Sequence, residues 1–188
     1  MVKELTTVQA LLPFLSKPKE ELHLAFIAKD LGENHTNIRL WLAHLEERGI
    51  VRKSYKGRLT LFALNYDHEL LLEFLVVAEK MKLINRAEED LLLKELLSFL
   101  HGTLFENTKA ILFGSAVFSF KDASDIDILL TGKYDQKAFY AFSKKINKQI
   151  HIIPVKALQD ISASLKTEII KKHFILKGSE DIVRWLFW

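Results

Sequence analysis

The run Ala110-Ile111-Leu112-Phe113 ends in Gly114-Ser115, and after nine intervening residues Asp125-Ile126-Asp127 opens a second apolar run through Leu130. Each run has the length and composition of a buried strand. On a strand successive side chains alternate faces, so Asp125 and Asp127 point one way while Ile126 and Ile128 point the other. Two neighbouring carboxylates repel each other unless a cation neutralises them, and hard oxygen ligands of this kind suit Mg²⁺. Gly114 lets the backbone approach a ligand closely, and a helix beginning at Ser115 would offer its first N–H groups to a phosphate. A phosphate cradle beside a carboxylate pair is the smallest apparatus that phosphoryl or nucleotidyl transfer requires.

The chain has 188 residues, room for one ordinary domain or two small ones. Its 49% hydrophobic content fills a core and argues against global disorder. The absence of cysteine excludes disulfides and thiolate metal sites and fits a reducing cytoplasm. No apolar run reaches membrane-spanning length, and the opening MVKELTTVQALLPFLSK carries charges where a leader peptide needs an apolar core. The expectation is a cytoplasmic protein without a membrane partner. Seven histidines with no H-x-x-x-H spacing exclude the usual zinc motifs, and Ser115 lacks the G-x-S-x-G setting of a hydrolase. The net charge of +3 is uneven: +3 over residues 1–64, −4 over 65–104 and +4 over 105–188. Two basic ends around an acidic middle suit two anion-binding modules joined by a structural element.

Residues 1–64 read as three helices and a hairpin. A first helix covers 7–15, with Pro18 beyond it, and Leu22, Phe26, Ile27 and Leu31 make the stripe of a second that closes at Gly32. Asn34 caps a third, whose inner face is Ile38, Trp41, Leu42 and Leu45, and Gly49 stops it. Segments 50–55 and 58–64, joined at Lys56-Gly57, are the strands of the hairpin. That order resembles the winged helix-turn-helix domains of prokaryotic DNA-binding regulators. The resemblance implies that His35, Thr36, Asn37 and Arg39, on the outer side of the third helix, meet base edges or phosphates. Arg48, Arg52, Lys53, Lys56 and Arg58 then follow with no acid among them, which suits salt-sensitive contact with a phosphate backbone. Tyr55 adds an aromatic near the wing tip, while Glu46 and Glu47 oppose close approach at the end of the helix. DNA is the expected partner; protein docking or dimerisation is the other use of such a module.

Residues 65–86 form a helical connector to a C-terminal domain at 87–188. Helices are expected over 66–83 and 87–100. The first is apolar on more than one face (Leu70, Leu71, Leu72, Phe74, Leu75, Val76, Val77) and must bury most of its circumference, within the chain or against a second copy. A homodimer is thus one expected assembly. Beyond Gly132 the pattern predicts a helix over 135–148 and a third apolar strand over 150–155. Gly178-Ser179 with Glu180 and Asp181 starts a last helix, whose Trp185, Phe187 and Trp188 mark it as a core or interface element. The fold class expected is α+β.

The joint pattern of strand, Gly114-Ser115, short interval, Asp125-x-Asp127 and strand resembles the DNA polymerase β-type nucleotidyltransferase superfamily. It is most similar to the minimal nucleotidyltransferase branch, whose signature is an apolar residue, G-[GS], about ten residues and D-x-D, and the resemblance covers residues 87–188. It implies an α/β domain with a small mixed sheet and a reaction moving a nucleoside monophosphate from an NTP to an acceptor hydroxyl. It also implies Mg²⁺ on Asp125 and Asp127, and contacts from Gly114 and Ser115 to the β and γ phosphates. The branch includes antitoxins of toxin–antitoxin pairs that attach AMP to HEPN-type RNase toxins, and antibiotic-modifying enzymes. The implied acceptor is therefore a protein, such as a HEPN-type partner, an RNA or a small molecule.

The chain departs from that pattern in the interval before Asp125, which is about a residue short, and at two chemical positions. The family's third carboxylate, on the next strand, falls at His151. Neutral imidazole is a poor Mg²⁺ ligand but can take a proton from a hydroxyl, and protonated it is a counter-ion to the aspartates. After Ser115 the family's basic residue and glycine are replaced by Ala116-Val117-Phe118-Ser119-Phe120. Three outcomes stand for His151: reduced activity, a histidine base, or a binding fold without turnover. Two functions follow. One is a nucleotidyltransferase joined to a DNA-binding winged helix; the other is a non-catalytic DNA-binding regulator whose C-terminal domain senses nucleotide or mediates assembly.

Overall fold

The computed structural model describes residues 6–188. The first five residues, including Lys3 and Glu4 in the charged opening that argues against a leader, lie outside them. Helices and two small sheets make a mixed α+β protein. The described residues divide into two compact units, one reaching Met81 and including Phe187, the other Lys82–Leu186 with Trp188. The division falls inside a continuous helix rather than at either end of the expected 65–86 connector.

In the first unit a 3₁₀ turn, Gln9–Leu11, leads into the single helical turn α1 (Leu12–Leu15). Strand β1 (Leu22–His23) and helix α2 (Leu24–Leu31) follow. Leu22, expected in a helical stripe, instead pairs with Phe62 in a sheet. Helix α3 (His35–Glu47) starts where Asn34 Oδ1 accepts the Asn37 N–H at 2.9 Å. It ends where Ile50 N–H reaches back to the Leu45 carbonyl at 2.9 Å, as the terminal glycine predicts. Strands β2 (Val51–Lys56) and β3 (Leu59–Leu64) form the hairpin, and the sheet order is β1-β3-β2, all antiparallel. Leu11, Phe14, Ile27, Ile38, Leu42, Leu45 and Ile50 are wholly buried. Trp41, expected on the inner face of α3, is only half-buried.

Helix α4 (Leu71–Glu89) begins five residues later than expected, because 65–70 form turns in which His68 N–H donates to the Asn65 carbonyl. Its burial is one-sided: Leu71, Leu72, Leu75 and Ala78 are covered, whereas Val77 and Ile84 are exposed. Helix α5 (Leu91–Thr103) is capped by Asp90, which accepts the N–H groups of Leu92 and Leu93. The second sheet comprises β4 (Lys109–Phe113), β5 (Asp125–Thr131), β6 (Gln149–Val155) and β7 (Phe174–Lys177). Helix α6 (Gln136–Ile146) joins β5 to β6, and α7 (Ala163–Lys171) precedes β7. Helix α8 (Ser179–Phe187) follows β7. The order is β6-β5-β4-β7, with β5 and β6 parallel and the other two pairs antiparallel. Leu93, Leu96, Leu112, Phe120, Ile126, Ile128 and Leu130 lie in one buried cluster. This topology sets the end of β4 beside the beginning of β5, whose other edge meets the beginning of β6.

Candidate functional site

The registers place Phe113 opposite Asp127, Asp127 opposite His151 and Asp125 opposite Gln149. Ile126 and Ile128 are wholly buried, so the alternation of β5 turns Asp125 and Asp127 to the accessible face together. His151 Nδ1 lies 3.5 Å from Asp125 Oδ2 and 3.5 Å from Asp127 Oδ1. Ser124 Oγ donates to Asp125 Oδ1 at 2.8 Å, holding that carboxylate's rotamer. Gly114 has φ +75°, and a Cβ there would collide with Asp127 Oδ2. Glycine is thus needed twice at this position, for its backbone conformation and for the space the carboxylate occupies. Gly114, Ser115, Asp125, Asp127 and His151 are brought to one end of the sheet.

The expected helix at Ser115 does not form. A 3₁₀ turn, Ser115–Val117, closes with Phe118 N–H on the Ser115 carbonyl and goes no further. Ser119 Oγ donates to Asp122 Oδ2 at 2.7 Å and accepts the Asp122 N–H at 3.2 Å, a local bond that competes with helix. Phe120 then turns fully into the core. Two cations that the sequence reading missed hold this segment. Arg86 donates to the Phe118 carbonyl at 2.7 Å, and Lys148 Nζ donates to the carbonyls of Lys121 and Ala123. No sequence signal marks Arg86. Lys148 stands at the end of a lysine-rich helix, where charge predicts only solvation.

On the first unit His35, Thr36 and Arg39 are exposed along α3, while Asn37 Nδ2 is engaged by Glu33 Oε2 at 3.1 Å. The basic hairpin is divided between two faces. Arg52 and Lys56 share one face of β2, and Lys53 and Tyr55 share the other. Distant acids reach both: Arg52 pairs with Asp67, Ser54 Oγ donates to Glu21 at 2.8 Å, and Lys53 Nζ lies 3.7 Å from Glu46. A hydrogen bond with Tyr55, and then the charge of Glu46, hold the Lys53 ammonium above its ordinary pKa. Arg39, Glu46, Lys53 and Tyr55 line a small cavity of about 160 Å³. Lys56 and Arg58 are exposed at the hairpin tip.

Among the described residues no three His, Cys, Asp or Glu side chains form a metal-holding group, and no helix is long and apolar enough to cross a membrane. Comparison of the chain with protein-family models, with curated proteins and with solved structures finds no match.

Proposed function

We propose that the second unit is a nucleotidyltransferase-type domain that moves a nucleoside monophosphate from an NTP to an acceptor hydroxyl. The observation that carries this reading is the close fit of Gly114 against Asp127, with Asp125 and His151 on the same face. Asp125 and Asp127, both half-buried, would hold one Mg²⁺ through hard carboxylate oxygens, and the lack of a third protein ligand does not oppose the assignment. A divalent ion held there would offset charge on the triphosphate and on the leaving pyrophosphate. Gly114 and Ser115, both exposed, line the approach of the β and γ phosphates. The acceptor oxygen attacks the α-phosphorus, and the bond from that phosphorus to the pyrophosphate oxygen breaks. The hydroxyl proton goes to His151 Nε2, the ring atom left over when Nδ1 faces the carboxylates.

The first unit is proposed to be a winged helix that contacts DNA through α3 and the hairpin tip. Support for it is the exposure of His35, Thr36, Arg39, Lys56 and Arg58 on adjacent elements. Arg52 and Lys53 contribute less, since each already faces a carboxylate. Acceptors consistent with the transfer chemistry include a protein partner, a HEPN-type RNase among them. One observation favours a second reading, a nucleotide-sensing regulator without turnover. His151 stands between the two aspartates where a third acid would complete metal binding. Incubation with labelled NTPs and Mg²⁺ over protein, RNA and small-molecule acceptors separates the two. Labelled product that disappears in Asp125→Ala/Asp127→Ala supports transfer; bound nucleotide with no product supports the sensor.

A further inference from the structure

Helix α4 carries a second apolar stripe besides the one it buries. Leu70, Phe74, Val77 and Met81 follow one another at intervals of four, three and four residues, the spacing of a coiled-coil seam. At roughly 100° per residue they fall within about 60° of arc, on the side turned away from the buried Leu72 and Leu75. Leu70 takes the first position because its carbonyl accepts the Phe74 N–H at 3.2 Å. Leu70 is 49% and Val77 38% exposed, and Phe74 and Met81 are half-buried. All four belong to the first unit. Water thus meets a row of large apolar side chains for which the chain itself provides incomplete cover, and burying such a row favours association.

The charges beside the stripe say what covers it. Glu73 and Lys80, both exposed, stand seven residues apart on the same flank. Among the described residues neither is paired with an opposite charge. A second α4 laid antiparallel across the stripe sets Leu70 against Met81 of the second copy and Phe74 against Val77 of the second copy. The two-fold axis repeats both layers. In that register Glu73 meets Lys80 of the second copy, and Lys80 meets Glu73. Sliding by one heptad either way sets Lys80 against Lys80 or Glu73 against Glu73. A parallel pair sets Glu73 beside Ala78 and Lys80 beside Asn85, with no charge answered. The stripe and its flank are therefore complementary to themselves in one register and one direction, and both neighbouring registers bring like charges together.

We propose that the chain forms a two-fold homodimer through this stripe, with the two α4 helices antiparallel and Glu73 paired to Lys80 across the seam. The test is sedimentation equilibrium of the full chain, without nucleotide or DNA, over about 1 to 100 µM. The expected result is a mass approaching twice the 21.8 kDa of one chain. Val77→Glu sets a charge in the seam and should raise the dissociation constant about 100-fold or more. Glu73→Lys alone and Lys80→Glu alone should each raise it about fivefold or more, because like charges then face each other twice. The double variant Glu73→Lys/Lys80→Glu should return it to within about twofold of the parent, since the pairs re-form with their signs exchanged. A monomer throughout the range, a dimer whose affinity survives Val77→Glu, or charge reversals that have no effect or add when combined overturns the proposal. Should Val77→Glu lose its fold by circular dichroism, the reversals, both at exposed positions, decide the matter by themselves.

Discussion

Single residues carry the chemistry, and each has a distinguishable test. Gly114→Ala meets both a positive φ and the Asp127 carboxylate, so it is expected to cost roughly 1–3 kcal/mol in urea unfolding and to abolish nucleotide binding. A variant as stable and as active as the parent would show that the close approach has no role. His151→Ala is expected to slow transfer by about 10²-fold or more while Mg²⁺-nucleotide affinity changes little, the mark of a lost proton acceptor. An unchanged rate would remove His151 from the reaction. Tyr66 offers a test of the first unit. Burial pushes its hydroxyl up to about 12, and that hydroxyl donates to the Pro18 carbonyl at 2.7 Å. Because the folded value is raised, the stabilisation is complete below the unfolded value near 10 and is lost as pH climbs through about 12. Urea midpoints for Tyr66→Phe should therefore be lower than the parent's below pH 10 and converge on them above it. The division of the basic hairpin was not legible, because Asp67 and Glu21 lie far along the chain from the residues they meet.

At the scale of elements, legibility followed the length of the pattern. The cap at Asn34, the αL stop at Gly32 and the paired strands around Asp125 rest on periodicity or on residues with one conformational role, and all formed. Strand β1 has two residues and β7 has four, too few for any period to register, so neither was read. The 3₁₀ turn at Ser115 replaced a helix because Ser119 bonds Asp122 locally while Phe120 is drawn into the core. That segment links the turn at Ser115 to the carboxylates, and Lys148 ties its carbonyls. Lys148→Met should lower stability by about 1–3 kcal/mol. It should also raise hydrogen exchange across 118–124, with α3 unaffected. Unaltered protection there would mean that the lysine is incidental.

On the whole molecule, the first unit presents exposed basic residues on α3 and at the hairpin tip. DNA affinity should fall steeply with salt, and Lys56→Ala/Arg58→Ala should reduce the log–log slope by about 2. Arg52→Ala should change it less, since Asp67 already holds that guanidinium. A slope near zero in the parent would leave α3 and the hairpin as a docking surface for protein. The central claim concerns the other unit: that Asp125 and Asp127, opposite Gly114, hold a divalent ion with a triphosphate. Calorimetric titration of ATP into the parent chain tests it most directly. One equivalent bound with Mg²⁺, and lost both in EDTA and on adding Asp125→Ala/Asp127→Ala, is the predicted result. Binding that ignores either the ion or the two aspartates would contradict the account.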